Sequence, residues 1–161
     1  MLLLLRALFW TILMPGTVTI YVPYRILSHG EAAPPTHWGL WQWLALPVAA
    51  LGAVILLHCI VAFATVGRGT LSPLDAPHHL VVRGLYRYVR NPMYWGVVLI
   101  LSSEALFFAS VPLLEYAAGC PLLVHLFVVL YEEPHLRRRF GDSYELYCES
   151  VHRWLPGKRY D

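Results

Sequence analysis

Charge is what this sequence has least of. Of its 161 residues only 14% are Asp, Glu, Lys or Arg, where soluble domains carry about 25%. Some 58% are hydrophobic, and the mean hydropathy is +0.54. A water-soluble chain this short would lack the polar side chains to cover its surface, so lipid is the expected solvent. The net charge of +2 is too small to mark a nucleic-acid partner. Cysteine is also scarce. Cys59, Cys120 and Cys148 form no CxxC pair, which argues against a disulfide scaffold or a zinc site. Cys59 and Cys120 lie in apolar runs, where a thiol behaves as a small hydrophobe. The opening MLLLLRALFWTILMPG has no convincing small-residue cleavage site, and its apolar character continues to Tyr24. It reads as a retained helix rather than a removed signal.

What the sequence has in abundance is apolar runs of spanning length. A transmembrane helix needs about 20 mostly apolar residues. Four segments qualify: 2–24, 38–66, 92–110 and 114–133. Pro15-Gly16 and Pro47 are expected to kink the first two. Ala45, Ala49 and Ala53 recur every four residues, a spacing that permits close helix contact. Asn91-Pro92 reads as N-cap plus first helical position of the third helix. Pro112 marks a short connection that makes the third and fourth helices an antiparallel hairpin. Beyond them, Leu136, Phe140, Tyr144, Tyr147 and Val151 recur at helical spacing, with Gly141 as an interruption and Asp142 with Glu145 as a capping-box-like restart. This tail is expected to lie at the membrane surface. The expected fold class is all-α: one integral membrane domain, 1–161, of about four transmembrane helices with a long polar loop before the third and amphipathic helices at the C-terminus. Residues 1–66 form two N-terminal helices and 67–156 the chemical region.

The basic residues set the expected orientation. Arg6, the group Arg68, Arg83, Arg87 and Arg90, and the group Arg137–Arg139, Arg153, Lys158 and Arg159 fall on one side of a four-span chain. Arg25 alone falls on the other. The positive-inside rule makes the rich side cytoplasmic, with both termini and the loop 67–91 on it, and puts Trp38, Trp41 and Trp43 at the opposite interface.

Three polar groups could carry chemistry. The loop from Gly67 to Asn91 is long, aromatic and basic, with Pro73, Asp75, His78 and His79 among its residues. Loops of that length in compact domains are functional or disordered, and its apolar content argues against disorder. Its arginines could equally meet anionic headgroups. Glu132-Glu133 ends the fourth helix, where two carboxylates oppose the helix dipole and each other. An ion pair with Arg87, Arg90 or Arg137 would offset them. A pocket for a zwitterionic ligand, acids on one wall and Arg, Tyr and His on the other, is the functional reading. His58, Glu104 and His125 lie within the apolar segments, where ionisable groups are candidates for function. The first two are expected to be satisfied between helices, and no spacing marks a metal site.

The motif His78-x-Leu80-Val81-x-x-Gly84-x-Tyr86-Arg87-Tyr88-Val89-Arg90-Asn91-Pro92-Met93-Tyr94-x-Gly96 is followed by Glu132-Glu133-Pro134-x-Leu136-x-x-x-Phe140-Gly141-x-x-Tyr144-x-x-Tyr147 and Arg153-Trp154-Leu155-Pro156. Over roughly residues 67–156 this pattern resembles the isoprenylcysteine carboxyl methyltransferase family and its phospholipid methyltransferase relatives. The resemblance implies S-adenosylmethionine as cofactor, bound at the cytoplasmic face. The family's cofactor positions correspond to His78, Leu80, Val81, Gly84, Tyr86, Arg90, Asn91, Pro92, Tyr94, Glu132 and Glu133, with Arg90 and Glu133 as the catalytic pair. Where the family commonly has Arg-His-Pro, this chain has Arg90-Asn91-Pro92, and Asn carries no proton at neutral pH. Gly84 would let the backbone approach the cofactor closely.

These residues suit methyl transfer from a sulfonium, which demands alignment and desolvation rather than a nucleophilic side chain or a metal. The expected partners are membrane lipids and a lipophilic acceptor, methylated on a carboxylate oxygen, an amine nitrogen or a thiol sulfur. An apolar tail would enter sideways past Met93, Tyr94 and Gly96. Two other readings stand beside this one: a nicotinamide-dependent membrane reductase of the sterol-reductase type, and a non-enzymatic membrane protein that keeps the fold.

Overall fold

The computed structural model describes residues 9–10, 12–29, 37–67, 80–157 and 159–160. Among them every regular element is helical. His78, with all of residues 68–79, lies outside the described residues.

The first helix opens as a π-helical stretch, Ile12–Tyr21, and continues as α1, Val22–His29. Pro15 sits inside the π-helical part, where wider turns absorb its missing N–H. Thr19 Oγ1 donates to the Pro15 carbonyl at 2.8 Å. The helix runs five residues past the expected end at Tyr24, carrying Arg25 with it. There Arg25 Nη2 meets His29 Nε2 and the Arg25 carbonyl meets His29 Nδ1, one turn on.

The second helix, α2, spans Leu40–Ala62 and passes through Pro47 unbroken. A π-helical turn, Phe63–Gly67, extends it. The buried seam of α2 is Ala45, Gly52 and Cys59, a seven-residue repeat. Ala53, expected on the close-packed face, is exposed. The reason is the crossing with α3, Pro92–Phe108. A Cβ on Gly52 would lie 2.8 Å from the Gly96 carbonyl, and one on Gly96 would lie 2.9 Å from the Gly52 carbonyl. Two glycines opposite each other let the backbones touch, the small-residue contact that packs helices where lipid removes the hydrophobic drive. At the far end Gln42 Nε2 donates to the Phe107 carbonyl at 3.1 Å, so α2 and α3 run antiparallel.

Ala109, in the left-handed region at φ 47°, ends α3. Ser110 then caps α4, Val111–Phe127, accepting from the Leu113 N–H, with Pro112 in the first turn. The hairpin expected from Pro112 is present. Helix α4 widens into a π-helical stretch, Val128–Glu132, and runs on as α5, Glu133–Phe140. Gly141, at φ 52°, breaks it, and α6 follows over Asp142–Ser150. The expected capping box does not form: no side chain caps α6, and Glu145 pairs with Arg137 instead.

Among the described residues two helices are long and apolar enough to cross a membrane, Leu40–Val66 and Val111–Phe140. Helix α3 is apolar but shorter. Their outward residues are large and hydrophobic: Leu51, Val54 and Leu57 on α2 and Leu122, Leu123 and Leu126 on α4 are all exposed. Small residues inside and large apolar ones outside is the arrangement lipid favours and water does not.

The chain after α6 folds back under the helices. The Gly157 N–H donates to the Tyr88 carbonyl at 2.8 Å, the Tyr160 N–H to the Arg87 carbonyl at 3.0 Å, and the Arg90 N–H to the His152 carbonyl at 3.0 Å. Tyr144, Tyr147 and Val151 form a buried cluster against Leu80, Val82, Leu136 and Phe140. The tail and the loop before α3 are therefore one packed layer across the ends of α3 and α4.

Candidate active site

Between that layer and the helices lies a cavity of about 550 Å³, within the range of small-molecule sites. Its two ends differ in chemistry. One end is polar, built from Arg90, Tyr94, Glu132, Glu133 and His135. The other is apolar, between Met14 and Val18 of the first helix and Leu123, Val124 and Phe127 of α4.

Local structure explains how the polar end is held. The short 3₁₀ turn Gly84–Arg87 buries Tyr86 and leads through Val89 to Arg90. Asn91 precedes Pro92 at the start of α3 as expected. Its side chain caps nothing. The Asn91 amide instead donates to the Arg153 carbonyl at 3.2 Å, tying the tail to the site. Tyr147 Oη donates to the Tyr86 carbonyl, holding the turn from below. Burial, and next the Cys59 thiol beside it, raise the Tyr86 phenol well above its ordinary value, so this hydroxyl stays protonated.

The two glutamates have separate environments. Glu133 is buried and receives a two-pronged contact from Arg153, Nε to Oε1 at 2.7 Å and Nη2 to Oε2 at 2.9 Å. Arg90 Nη1 lies 3.4 Å from the same carboxylate. The Glu133 contact raises the Arg153 guanidinium above its already high value, so the group is a fixed cation. Glu132 points into the cavity and accepts from Tyr94 Oη at 2.9 Å. Arg90 Nη1 also reaches Cys148 Sγ, while its Nε is buried and has no hydrogen-bond partner. His135 Nε2 is likewise buried and without one. Trp154 packs behind Tyr94: its ring stands edge-on to Tyr94 at 6.2 Å, and its Nε1 donates to His125 Nδ1 at 3.0 Å.

The cavity thus gathers Leu80, Val81, Tyr86, Arg90, Asn91, Tyr94, Glu132 and Glu133 from the sequence reading. Pro92 is buried behind it at the helix start. Gly84 does not line it. The glycine has φ 59°, but the space over its Cα is filled by the His58 ring, which a Cβ would meet at 2.2 Å. Gly96 is locked against Gly52 and leaves no room for an apolar tail. Glu104, expected to be satisfied between helices, has a buried Oε2 with no partner. Sequence reasoning missed Arg153 as the main partner of Glu133, along with Trp154 and His135. The Arg-Trp-Leu-Pro motif was the available signal for the first two.

The sequence profile of the phospholipid methyltransferase family matches residues 40–143. This chain belongs to that family. The matched stretch begins at the first residue of α2 and ends just inside α6, so it contains the whole Gly52–Gly96 crossing and both glutamates. Two curated relatives from Oryza sativa, subspecies indica and japonica, each described as a probable protein-S-isoprenylcysteine O-methyltransferase, are 29% identical over 121 residues. The alignment covers 71% of this chain and 61% of each relative. The chain therefore spans about three-fifths of the length of these relatives. No solved structure matches. Family membership agrees with the resemblance carried by the Arg90-Asn91-Pro92 and Glu132-Glu133-Pro134 motifs.

Proposed function

We propose that the protein is an S-adenosylmethionine-dependent methyltransferase of the membrane that acts on a lipophilic acceptor. The observation that carries this reading is the two-ended cavity. Its charged end suits a zwitterionic cofactor and its apolar end a hydrocarbon tail. The cofactor fits the residues present. Arg90 retains a buried donor, Nε, with no partner among the described residues, and a bound carboxylate would satisfy it. Glu132 offers the opposite charge in the same cavity for an ammonium or ribose hydroxyls.

In this reading Arg90 and Glu132 hold the cofactor, and Glu133 is a positioning residue. Shared between Arg153 and Arg90, Glu133 fixes the Arg90 guanidinium and has few lone pairs left for a ligand. The Tyr86 and Tyr94 rings wall the site, and Trp154 supports the Tyr94 ring from behind. Bound S-adenosylmethionine supplies an activated methyl group on a sulfonium. The protein's share is to align the acceptor in line with that methyl and to exclude water, which is worth much of the barrier in such displacements. Leu80, Val81, Pro92 and Asn91 shape the cofactor end. Asn91 acts through the Arg153 carbonyl rather than as an acid or base.

The chain is further read as crossing the membrane four times with both termini and the site on the cytoplasmic side. The supporting observation is that nearly all Lys and Arg fall on one side of such a chain.

Transfer of a labelled methyl group tests the function. Membranes containing the protein, given methyl-labelled S-adenosylmethionine, should accumulate label in the organic-soluble fraction above membranes lacking it. The Arg90→Ala and Glu132→Gln variants should abolish that gain. Label appearing only in water-soluble products, or undiminished in both variants, would contradict the proposal.

A further inference from the structure

A second cavity, of about 580 Å³, opens on the other side of the Gly84–Arg87 turn. Tyr86 faces the first cavity, while its neighbours Leu85 and Arg87 face this one. The two spaces are separate sites at the same end of the helices. The second is lined by Arg83, Arg87 and Arg159 on one side and by Val54, Ile55 and His58 of α2 on the other. Among the described residues that line it none is acidic.

Its cations are not all accounted for by internal structure. Arg87 is anchored through Nε to the Tyr160 carbonyl at 2.7 Å, and it supplies charge from a fixed position. Arg83 is exposed, and among the described residues its guanidinium has neither a hydrogen bond nor an ion pair. His58 is exposed too, its ring pressed over the Cα of Gly84 and its nitrogens without a hydrogen-bond partner among the described residues. The positive φ of Gly84 and the missing Cβ there are what let that imidazole pack against the turn that carries Arg83 and Arg87. Below the cations runs the exposed apolar face of α2: Leu51 is 53% exposed, Val54 64% and Leu57 62%. Tyr88, beside the opening, is 43% exposed, as aromatic side chains are at a membrane interface.

We propose that this cavity binds the phosphate of an anionic phospholipid, with Arg83 and His58 as its donors and the face Leu51–Val54–Leu57 receiving the acyl chains. The charge selects an anion. The apolar strip directly adjoining it selects an amphiphile over a free phosphate, since water-soluble anions gain nothing from that face. Such a lipid would seat the loop before α3 at the headgroup level from outside the active-site cavity.

Native mass spectrometry of the full-length protein in detergent tests this. The probes are dioleoyl phosphatidylglycerol, dioleoyl phosphatidylcholine and inorganic phosphate. The wild type should retain phosphatidylglycerol in preference to phosphatidylcholine, and millimolar inorganic phosphate should not displace it. Arg83→Gln should lower phosphatidylglycerol retention roughly fivefold, the effect of about one interfacial charge, with an unchanged melting temperature. His58→Ala should lower it as well, which keeps the test open should the first variant not fold. Equal retention of the two lipids, or full retention by both variants, would overturn the proposal. Displacement of the lipid by inorganic phosphate would overturn it in favour of a free-anion site.

Discussion

The Arg153–Glu133 contact gives the sharpest test of how the site is held. Arg153 sits beyond α6, outside the residues matched by the family profile, yet it makes two charge-assisted contacts at 2.7 and 2.9 Å to a carboxylate whose side chain is 7% exposed. Each such contact is worth about 1.5–3 kcal/mol. The Arg153 side chain is itself 31% exposed, so water screens part of that gain. Arg90, at 3.4 Å, remains as a counter-ion when Arg153 is removed. Arg153→Ala should therefore cost about 2 kcal/mol of stability rather than the sum of two contacts. Glu133→Gln leaves two guanidiniums facing each other without a counter-ion and should cost about 3 kcal/mol. The double variant should cost less than the sum by about 1.5–2 kcal/mol, because the second change removes an interaction already lost. Reversible unfolding in detergent micelles, followed by Trp fluorescence on all four proteins, measures the coupling. Additivity to within about 0.5 kcal/mol would show that the pair is not coupled and would refute the role assigned to Glu133.

Gly96→Leu should destabilise the helices by more than about 3 kcal/mol, since its side chain would have to displace the Gly52 carbonyl; gel-filtration profile and melting curve report this, and a well-folded variant would contradict the crossing. Trp154→Phe removes the donor to His125 but keeps a ring against Tyr94, and should cost about 1 kcal/mol in the same unfolding assay. Single cysteines placed at Ser72, in a background lacking the three natural ones, should react with impermeant maleimide only when the cytoplasmic side is exposed, and labelling from outside alone would overturn the orientation.

The helices were legible because each rests on a long apolar run or a local signal. Asn91-Pro92 marks the start of α3, and Gly141 marks a real break at φ 52°. The nearness of Arg90 to Glu133 followed from the hairpin, since a short turn at one end of α3 and α4 brings their other ends together. Where the reading failed, the deciding contact came from a distant segment with no periodic pattern. Arg153 reaches Glu133 only because the tail returns beneath α3, through backbone bonds such as Arg90 N–H to His152 O. Asn91 was read as a cap, but that returning strand offers its amide a better acceptor. Gly84 does have the positive φ that glycine permits, yet the reason is a histidine on α2 rather than a cofactor. The small-residue seam was misplaced for the same cause: Ala45, Gly52 and Cys59 are buried because Gly96 lies opposite, and α2 alone does not reveal where Gly96 will fall.

The most direct test of the account is isothermal titration of the purified, detergent-solubilised protein with S-adenosylmethionine and, separately, with NADPH. The account predicts saturable binding of S-adenosylmethionine alone. Arg90→Ala and Glu132→Gln should each weaken it about ten- to hundredfold, the worth of one charged hydrogen bond, while both variants still fold. Binding of NADPH without S-adenosylmethionine, or S-adenosylmethionine affinity unchanged in both folded variants, would contradict it.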